Sequence, residues 1–208
     1  MIKSRELILQ DIYLLSVLHF YYAAMNAGKT LLLLKLQHSY TEQEFLTMAF
    51  TPHFDNRFQE GWIISRLGLK APATTFDENF DFIQAVSSKT PRPHCIFVDE
   101  AQFLTRAHVE QLSRVVDDLN ISVFAYGLRT DFQGQLFEGS AALFALADVV
   151  TELSAVCHCG REAMMNLRID EDQNPVLTGN QIEIGGSEKY QSVCRKHYLE
   201  LCGDKALW

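Results

Sequence analysis

Apolar positions along the chain gather into short strand-like runs that alternate with helical stretches. The pattern predicts strands at residues 18–22, 46–50, 95–98 and 121–126, and helices at residues 29–43, 77–88, 106–119 and 138–147. Thr105 stands where it can cap the third helix. The run from Cys95 to Val98 is apolar throughout, as expected for a strand buried on both faces. The alternation predicts an α/β fold, in which a parallel sheet carries helices on both faces.

One long segment interrupts this alternation. Residues 53–75 show no steady hydrophobic period and contain glycine and proline, which predicts a long loop. Loops longer than about 15 residues are usually functional or disordered. Four of its charged residues are Asp55, Arg57, Arg66 and Lys70. Such groups either neutralise charge at a nearby site or form an ordinary solvated surface.

The charge balance and the cysteine count narrow the class of protein. Of 208 residues, 18 are Lys or Arg and 26 are Asp or Glu, which gives a net charge of −8. An acidic chain has no global attraction to phosphate backbones, and we expect no nucleic-acid partner. Five cysteines are an odd number and too few for a disulfide scaffold, which predicts a reducing, cytoplasmic setting.

The N-terminal region contains an apolar run from Ile12 to Met25 that faintly resembles a secretory signal. Glu6 and Asp11 place acidic residues where such a signal is basic, and His19 interrupts the run. Elsewhere, the sequence has no stretch near the roughly 20 apolar residues that a membrane helix needs. We therefore expect no membrane partner.

A candidate phosphate-binding loop lies between the first strand and the first helix. Its sequence AAMNAGKT approaches the pattern GxxxxGK[ST], in which backbone N–H groups and a helix N-terminus surround an anion. Gly28 permits close approach, Lys29 can reach the outer phosphates, and the Thr30 hydroxyl can bind magnesium. Ala23 departs from the pattern, which has glycine there, and an ordinary turn is the alternative. The candidate phosphate ligands are Ala23, Ala24, Met25, Asn26, Ala27, Gly28, Lys29 and Thr30.

Two adjacent acids follow the buried strand that ends at Val98. Parallel sheets bind ligands just beyond the carboxyl ends of their strands. Asp99 is therefore a candidate magnesium ligand, directly or through water, and Glu100 can orient or deprotonate a nucleophile. The alternative is a pair of carboxylates that merely end a strand in solvent.

Two close pairs of metal-binding residues lie in the last quarter of the chain. Cys157 and Cys159 form one pair, and Cys194 and His197 form the other. Three thiolates and one imidazole suit a closed, four-coordinate zinc site of the structural kind. His158 is expected to point away. A disulfide or inert thiols remain the alternatives, and the two remaining cysteines, Cys95 and Cys202, are predicted to pack in the interior.

Taken together, these motifs resemble the cellular-type thymidine kinases. The matching stretches follow one another from about residue 18 to residue 198, and they are YYAAMNAGKT, FDNRF, SRLGL, FVDEAQFLTR, YGLRTDFQG, CHCGREA, IGGSEKY and SVCRKHY. The resemblance implies a P-loop, RecA-like sheet domain with a small zinc-ribbon domain that carries a loop called the lasso. The sequence changes character near residue 150, where two cysteine pairs and alternating strand-like runs follow, and this predicts domains at 17–150 and 151–208. Residues 1–16 have no counterpart in the family and form an extension.

The resemblance also implies an activity, the transfer of the γ-phosphoryl group of ATP to the 5′-hydroxyl of thymidine. Glu100 is then the general base, with Mg²⁺ and a structural Zn²⁺ as the metals. The remaining residues implied on the ATP side are Asp55, Arg57, Asp99, Ala101 and Gln102. Those implied for the nucleoside are Phe103, Leu128, Phe132, Phe137, Gln181, Ile182, Glu183, Ile184, Gly185 and Tyr190. A homotetramer inhibited by thymidine triphosphate is implied as well.

Three other functions compete with this interpretation. The DEAQ sequence also resembles the acidic box of helicases, but such motors need a second nucleotide-binding domain and a basic groove. A zinc-containing module that binds ATP without chemistry is the second, and a kinase of another nucleoside is the third. Glu44 and Phe45 depart from the family, which has a glycine-containing turn there, and this predicts a turn that is either strained or differently closed.

Overall fold

A six-stranded parallel sheet forms the centre of the molecule. The structure is a computed structural model, and it describes residues 16–54, 60–183, 185–186 and 188–203. The strands of the sheet, in chain order, are β1 (Leu18–Ala23), β2 (Thr47–Pro52), β5 (Thr74–Phe76), β6 (Cys95–Val98), β7 (Ser122–Leu128) and β8 (Val149–Glu152). Their spatial order is β5-β2-β6-β7-β1-β8, and every neighbouring pair is parallel.

Helices cover both faces of this sheet, as predicted. The helices are α1 (Lys29–Glu42), α2 (Phe82–Ser87), α3 (Arg106–Leu119), α4 (Glu138–Leu146) and α5 (Arg195–Cys202). Successive residues of β6 belong to different cores, since Cys95 and Phe97 pack with α1 on one face, and Ile96 and Val98 pack with α2, α3 and α4 on the other. This is the period-two geometry of a strand that is buried on both sides.

The capping prediction for α3 is confirmed. The Thr105 side chain accepts a hydrogen bond from the backbone N–H of His108, and the His108 ring pairs with the Thr105 backbone N–H. Of the two alternatives for the turn before β2, the structure shows the strained one, because Glu44 adopts a φ of 64° in the left-handed region. A non-glycine residue is uncommon there.

The prediction of one long loop over residues 53–75 is wrong. An antiparallel hairpin of β3 (Trp62–Ile64) and β4 (Lys70–Pro72) lies within it, and β5 follows directly as an edge strand of the main sheet. Each strand has three residues, so none is long enough to show a period. The helix predicted over 77–88 is shorter than expected, since α2 begins after Asp81, whose side chain caps it.

A second, smaller unit follows the sheet. It contains the antiparallel pair β9 (Met165–Arg168) and β10 (Tyr190–Val193), followed by α5, and it has its own apolar core. Residue 150, the expected domain boundary, falls within β8, which pairs with β1 of the main sheet. Among the described residues, the helices are all too short or too polar to cross a membrane.

Candidate active site

The predicted phosphate loop joins the carboxyl end of β1 to the N-terminus of α1. Asn26 and Gly28 adopt left-handed φ angles of 62° and 77°, which curl the chain around the start of the helix. Five of its eight residues line a cavity, namely Met25, Asn26, Gly28, Lys29 and Thr30. Ala24 and Ala27 pack instead against the apolar core of the smaller unit. Ala23 is the buried last residue of β1.

Lys29, Thr30 and Asp99 meet on the floor of the cavity. Lys29 is only 9% exposed, and its Nζ atom donates a hydrogen bond of 2.9 Å to the Ala24 carbonyl across the loop. The Thr30 hydroxyl lies 3.4 Å from Oδ1 of Asp99, the buried residue that follows β6. A hydroxyl and a carboxylate at this separation suit a hard cation such as Mg²⁺.

Glu100 projects into the same cavity from a strained backbone position. Its φ of 50° lies in the left-handed region. Its carboxylate accepts a hydrogen bond of 2.7 Å from Nε2 of Gln102, and Oε1 of Gln102 in turn accepts one of 2.9 Å from the Leu128 backbone N–H. Gln102 is 2% exposed, so this buried amide ties the Glu100 carboxylate to the end of β7.

The cavity has a volume of about 350 Å³ and an aromatic wall on its other side. The wall contains all four predicted pocket residues, Phe103, Leu128, Phe132 and Phe137. Phe103 meets Phe137 edge to face, with ring centroids 5.8 Å apart. Apolar walls with a few fixed polar groups are typical of sites for small planar ligands.

The predicted lasso closes the remaining side. Gln181, Ile182, Glu183, Gly185 and Tyr190 all line the cavity. Gln181 donates from Nε2 to Oδ2 of Asp131, at 2.9 Å, and the Tyr190 hydroxyl donates to the Glu183 carbonyl, also at 2.9 Å. These bonds hold the segment against the turn that follows β7 and against β10.

Arg168 supports the lasso from behind. Its guanidinium is buried, donates to the Tyr190 hydroxyl and the Asn180 carbonyl, and stacks 3.8 Å from the centroid of Phe132. The hydrogen bond from Lys189 lowers the pKa of Glu183, and the charges of Lys189 and Arg168 act in the same direction against the opposing effect of burial. The buried Arg168 cation therefore contacts both a ring of the aromatic wall and the loop opposite it.

The four predicted metal ligands come together in the smaller unit. The ligand atoms of Cys157, Cys159, Cys194 and His197 all lie within 4.8 Å of one another. The Cys159 and Cys194 sulfurs are 3.9 Å apart, and Nδ1 of His197 is 3.3 Å from the Cys157 sulfur and 3.6 Å from that of Cys194. A zinc–sulfur bond of about 2.3 Å gives tetrahedral edges of about 3.8 Å, so the donor set fits zinc.

The surroundings of Cys157 also favour a thiolate. Burial raises the pKa of its thiol, but hydrogen bonds from the Cys159 backbone, the His197 side chain and the Cys194 backbone outweigh burial and lower it to about 5. His158 is not among the four grouped ligands, as expected, but its ring does not point away, because it stacks on that of His197 with centroids 4.2 Å apart. None of the five cysteines forms a disulfide.

Some predicted residues lie elsewhere or cannot be described. Asp55, Arg57 and Ile184 fall outside the residues that the structure describes. Ala101 packs in the core beneath the sheet. Cys95 and Cys202 are buried, as predicted.

Several cavity residues carry no signal that sequence reasoning had used. Trp62 and Ser65 reach the cavity from the β3–β4 hairpin, and Asn166 reaches it from β9. Asp131 also lines the cavity and was not predicted, although its position shortly after a buried strand is a recognisable signal for such a site.

The sequence profile described as thymidine kinase matches residues 16–198 of this chain. The chain belongs to the thymidine kinase family. The resemblance inferred from the eight stretches is confirmed.

Bacterial members of the thymidine kinase family are similar over nearly the whole chain. The thymidine kinase of Zymomonas mobilis is 52% identical over 186 residues, covering 88% of this chain and 96% of its own. Those of Rhodopirellula baltica and Salmonella typhimurium are 49% and 48% identical, each covering 91% of this chain and 90% and 94% of their own.

Similarity to solved structures is much weaker. The Pif1 helicase from Candida albicans has a TM-score of 0.41 and 13% identity, covering 71% of this chain and 38% of its own. A likeness of this strength supports no inference about the thymidine kinase family member described here.

Proposed function

We propose that this enzyme transfers the γ-phosphoryl group of ATP to the 5′-hydroxyl of thymidine. The observation that carries the proposal is the single cavity that joins the phosphate loop, the Glu100 carboxylate and an aromatic wall. A triphosphate donor and a flat nucleoside acceptor fit its two ends. Family membership supplies the reaction class, and the site supplies the roles of the residues.

The phosphate end of the cavity is assigned to ATP. The loop over residues 23–30 offers backbone N–H groups and the N-terminus of α1 to the phosphates. Lys29 neutralises charge on the outer phosphates, while Thr30 and Asp99 would hold Mg²⁺, which neutralises developing charge on the transferred group. Asp55 and Arg57, predicted for the same side, stay part of the proposal on sequence grounds alone. Ala101 and Gln102 are assigned supporting places behind this side.

Glu100 is the proposed general base. The acceptor oxygen forms its bond to the γ-phosphorus as the bond to the bridging oxygen of ADP breaks, and the hydroxyl proton passes to the Glu100 carboxylate. Because phosphoryl transfer asks little covalent work of a protein, positioning and charge neutralisation contribute most. The hydrogen bond from Gln102 holds the carboxylate in place for that proton.

The thymine base is assigned to the space between the aromatic wall and the lasso. Phe103, Leu128, Phe132 and Phe137 offer apolar surface to its faces and edges. The lasso, residues 181–185 with Tyr190 behind them, offers polar main-chain groups for its edge. Buried polar groups that match a base reject acceptors without the matching groups.

We further propose that the Cys157, Cys159, Cys194 and His197 cluster holds a structural zinc ion. Four protein ligands leave no coordination position for water, so its contribution is to the folded smaller unit and not to the chemistry. We place the domain boundary after β8. On the family resemblance alone, we propose a homotetramer that thymidine triphosphate inhibits, acting in the reducing cytoplasm.

A phosphate-transfer assay tests the proposed function. Purified enzyme with Mg²⁺ and ATP is offered thymidine, deoxyuridine, deoxycytidine and deoxyadenosine separately, and monophosphates are separated by chromatography. Zinc is quantified on the same sample. Thymidine monophosphate is expected as a principal product with about one zinc per chain, and an inactive, metal-free protein would contradict the proposal.

The Glu100→Gln variant tests the role of Glu100 in the same assay. We expect it to bind ATP and thymidine with unchanged affinity, since the amide keeps the shape and the hydrogen bond. Turnover should fall by about 10²–10⁴, the usual loss for a general base. A kcat near that of the wild type would remove Glu100 from this role.

A further inference from the structure

We infer that Asn166 and Ser192, two residues of the smaller unit, are positioning residues that hold the phosphate loop in its nucleotide-binding shape. Neither belongs to the loop or to the proposed chemistry. They lie on β9 and β10, far along the chain from the loop. The inference rests on the proposed function, since it concerns how the ATP end of the same site is organised.

Both residues bind the backbone of one loop residue, Met25. Oδ1 of Asn166 accepts a hydrogen bond of 2.8 Å from the Met25 N–H, and the Ser192 hydroxyl donates to the Met25 carbonyl. The backbone N–H and the backbone carbonyl of Met25 are therefore both hydrogen-bonded to side chains of the smaller unit. We call this pair of contacts the Met25 clamp.

Burial makes the clamp strong at its Asn166 side. Asn166 is 2% exposed, and its Nδ2 atom also donates to the Thr130 carbonyl at 2.8 Å. One buried amide thus joins the phosphate loop to the segment that follows β7. A buried amide left without either partner would cost far more than a surface hydrogen bond contributes.

Apolar packing supports the same contact. The Ala24 side chain is 3% exposed and belongs to the apolar core of the smaller unit, with Ala27 packed at its edge. The residues on both sides of the clamp are therefore held as well. The smaller unit supports the outer surface of the loop, while its inner surface faces the cavity.

The clamp holds a part of the loop whose backbone is strained. Gly28 adopts its left-handed angle without cost, but Asn26 has a φ of 62°, and a non-glycine residue stays in that region only when its surroundings hold it there. Fixing Met25 immediately before Asn26 supplies that constraint before nucleotide arrives. Met25 also lines the cavity, so the same contact fixes part of the cavity wall.

Ser192→Ala is the primary test, because it removes one donor from a half-buried site and leaves the chain able to fold. Affinity for a non-hydrolysable ATP analogue with Mg²⁺ is measured by calorimetry, alongside KM and kcat. We expect the dissociation constant for the analogue to rise about three- to tenfold, the loss typical of one hydrogen bond. Ser192→Thr keeps the hydroxyl and is expected to restore affinity to within twofold.

Ser154→Ala is the matched control. It makes the same chemical change in the same unit, at a hydroxyl that bonds the exposed Glu162 carboxylate instead of the loop. We expect it to leave nucleotide affinity unchanged. Asn166→Ala should weaken nucleotide binding further, and the double variant should lose less than the product of the two single effects, because both residues hold one peptide position.

Specific outcomes overturn the clamp. One is nucleotide affinity within twofold of wild type in a folded, zinc-loaded Ser192→Ala protein. Another is a rise in KM for thymidine alone, and a third is a double-variant effect equal to the product of the single effects. A wild-type enzyme that binds the analogue but phosphorylates no nucleoside would instead contradict the proposed function, leaving the clamp measurable by binding.

Discussion

Individual side chains at the centre of the cavity act through neighbours that the chain brings from far away. Glu100 is held by Gln102, and Gln102 is fixed by the Leu128 backbone at the end of β7. A general base gains from such restraint, because the reacting hydroxyl must meet a carboxylate that is already oriented. The Gln102 amide is thus as much part of the proposed catalytic geometry as the acid that it touches.

Gln102→Glu tests this restraint. It places a second carboxylate beside Glu100. Because two adjacent negative charges repel each other, the pair holds a proton to higher pH and its pKa rises. We expect the acidic limb of the pH profile of kcat to move upward by about one pH unit or more. A profile that keeps its acidic limb in place while kcat falls would show that Gln102 serves the fold alone.

The ion pair on the lasso gives a prediction of pH dependence. Lys189 donates to Glu183 at 2.6 Å, which lowers the pKa of Glu183 below its ordinary 4.5 and raises the pKa of Lys189 above 10.5. The stabilisation that this ion pair gives the lasso is therefore complete between pH 4.5 and pH 10.5. It is lost as pH falls through the lowered pKa of Glu183, or rises through the raised pKa of Lys189.

Thymidine affinity should follow the same limits. We expect no step from this pair between about pH 5.5 and 9.5, and a loss of affinity in strong acid. Glu183→Gln should raise the dissociation constant for thymidine about two- to fivefold, a modest effect because the pair is partly exposed. Glu171→Gln, a change of charge on the same unit, serves as control. A large ionisation step near pH 7 in the wild type would have to come from other groups.

At the scale of elements, the turn after Glu100 is pressed between a strand and a helix. A Cβ atom added at Gly139 would lie 2.6 Å from the carbonyl oxygens of Ala101 and Leu104. One added at Gly127 would lie 2.9 Å from the Gln102 backbone nitrogen. Glycine at these two positions lets α4 and β7 approach the turn closely enough to fix its shape.

Gly139→Ala should therefore disturb chemistry as well as stability. The added methyl meets three backbone carbonyl oxygens of the turn that carries Gln102, so that turn has to shift. We expect a lower free energy of unfolding in urea and a kcat reduced by about tenfold or more, since small misplacements of catalytic groups are costly. Ala141→Ser, on the exposed side of α4, should change neither quantity. Wild-type kcat in Gly139→Ala would mean that the turn tolerates the shift.

Local patterns predicted the elements whose residues themselves decide the structure. The apolar run of β6 gave both a buried strand and the place of Asp99, and the loop over residues 23–30 gave the start of α1. The β3–β4 hairpin was missed because three-residue strands carry no period, and their pairing depends on partners. Asn166 and Arg168 were missed because their contacts lie 141 and 22 residues away, at Met25 and Tyr190.

At the scale of the whole molecule, one small unit touches both ends of the site. The lasso extends between β9 and β10, and the Met25 clamp extends from those same strands. Their geometry depends on a core that contains Cys157 and Cys194, two of the four proposed zinc ligands. Closed metal sites of this kind contribute directly to folding free energy.

Removal of the proposed zinc ion should therefore weaken the binding of both substrates. We expect chelation, or Cys194→Ser, to reduce affinity for thymidine and for the ATP analogue before the parallel sheet unfolds, as followed by calorimetry and circular dichroism. Restoring Zn²⁺ to chelated wild-type protein should restore both affinities. Unchanged thymidine binding in metal-free protein would contradict the role assigned to the lasso, and unchanged nucleotide binding would contradict the clamp.

The burial of Ala24 in the core of the smaller unit bears on how far these enzymes can be recombined. A chimaera that takes its C-terminal part from a relative would set a foreign surface against the native loop, at a buried contact where close packing makes a change of side-chain volume costly. Grafts that exchange residues 23–30 along with that part should succeed where grafts of the part alone fail. Residues 23–30 and the C-terminal part should therefore be exchanged together, although about 120 residues of chain separate them.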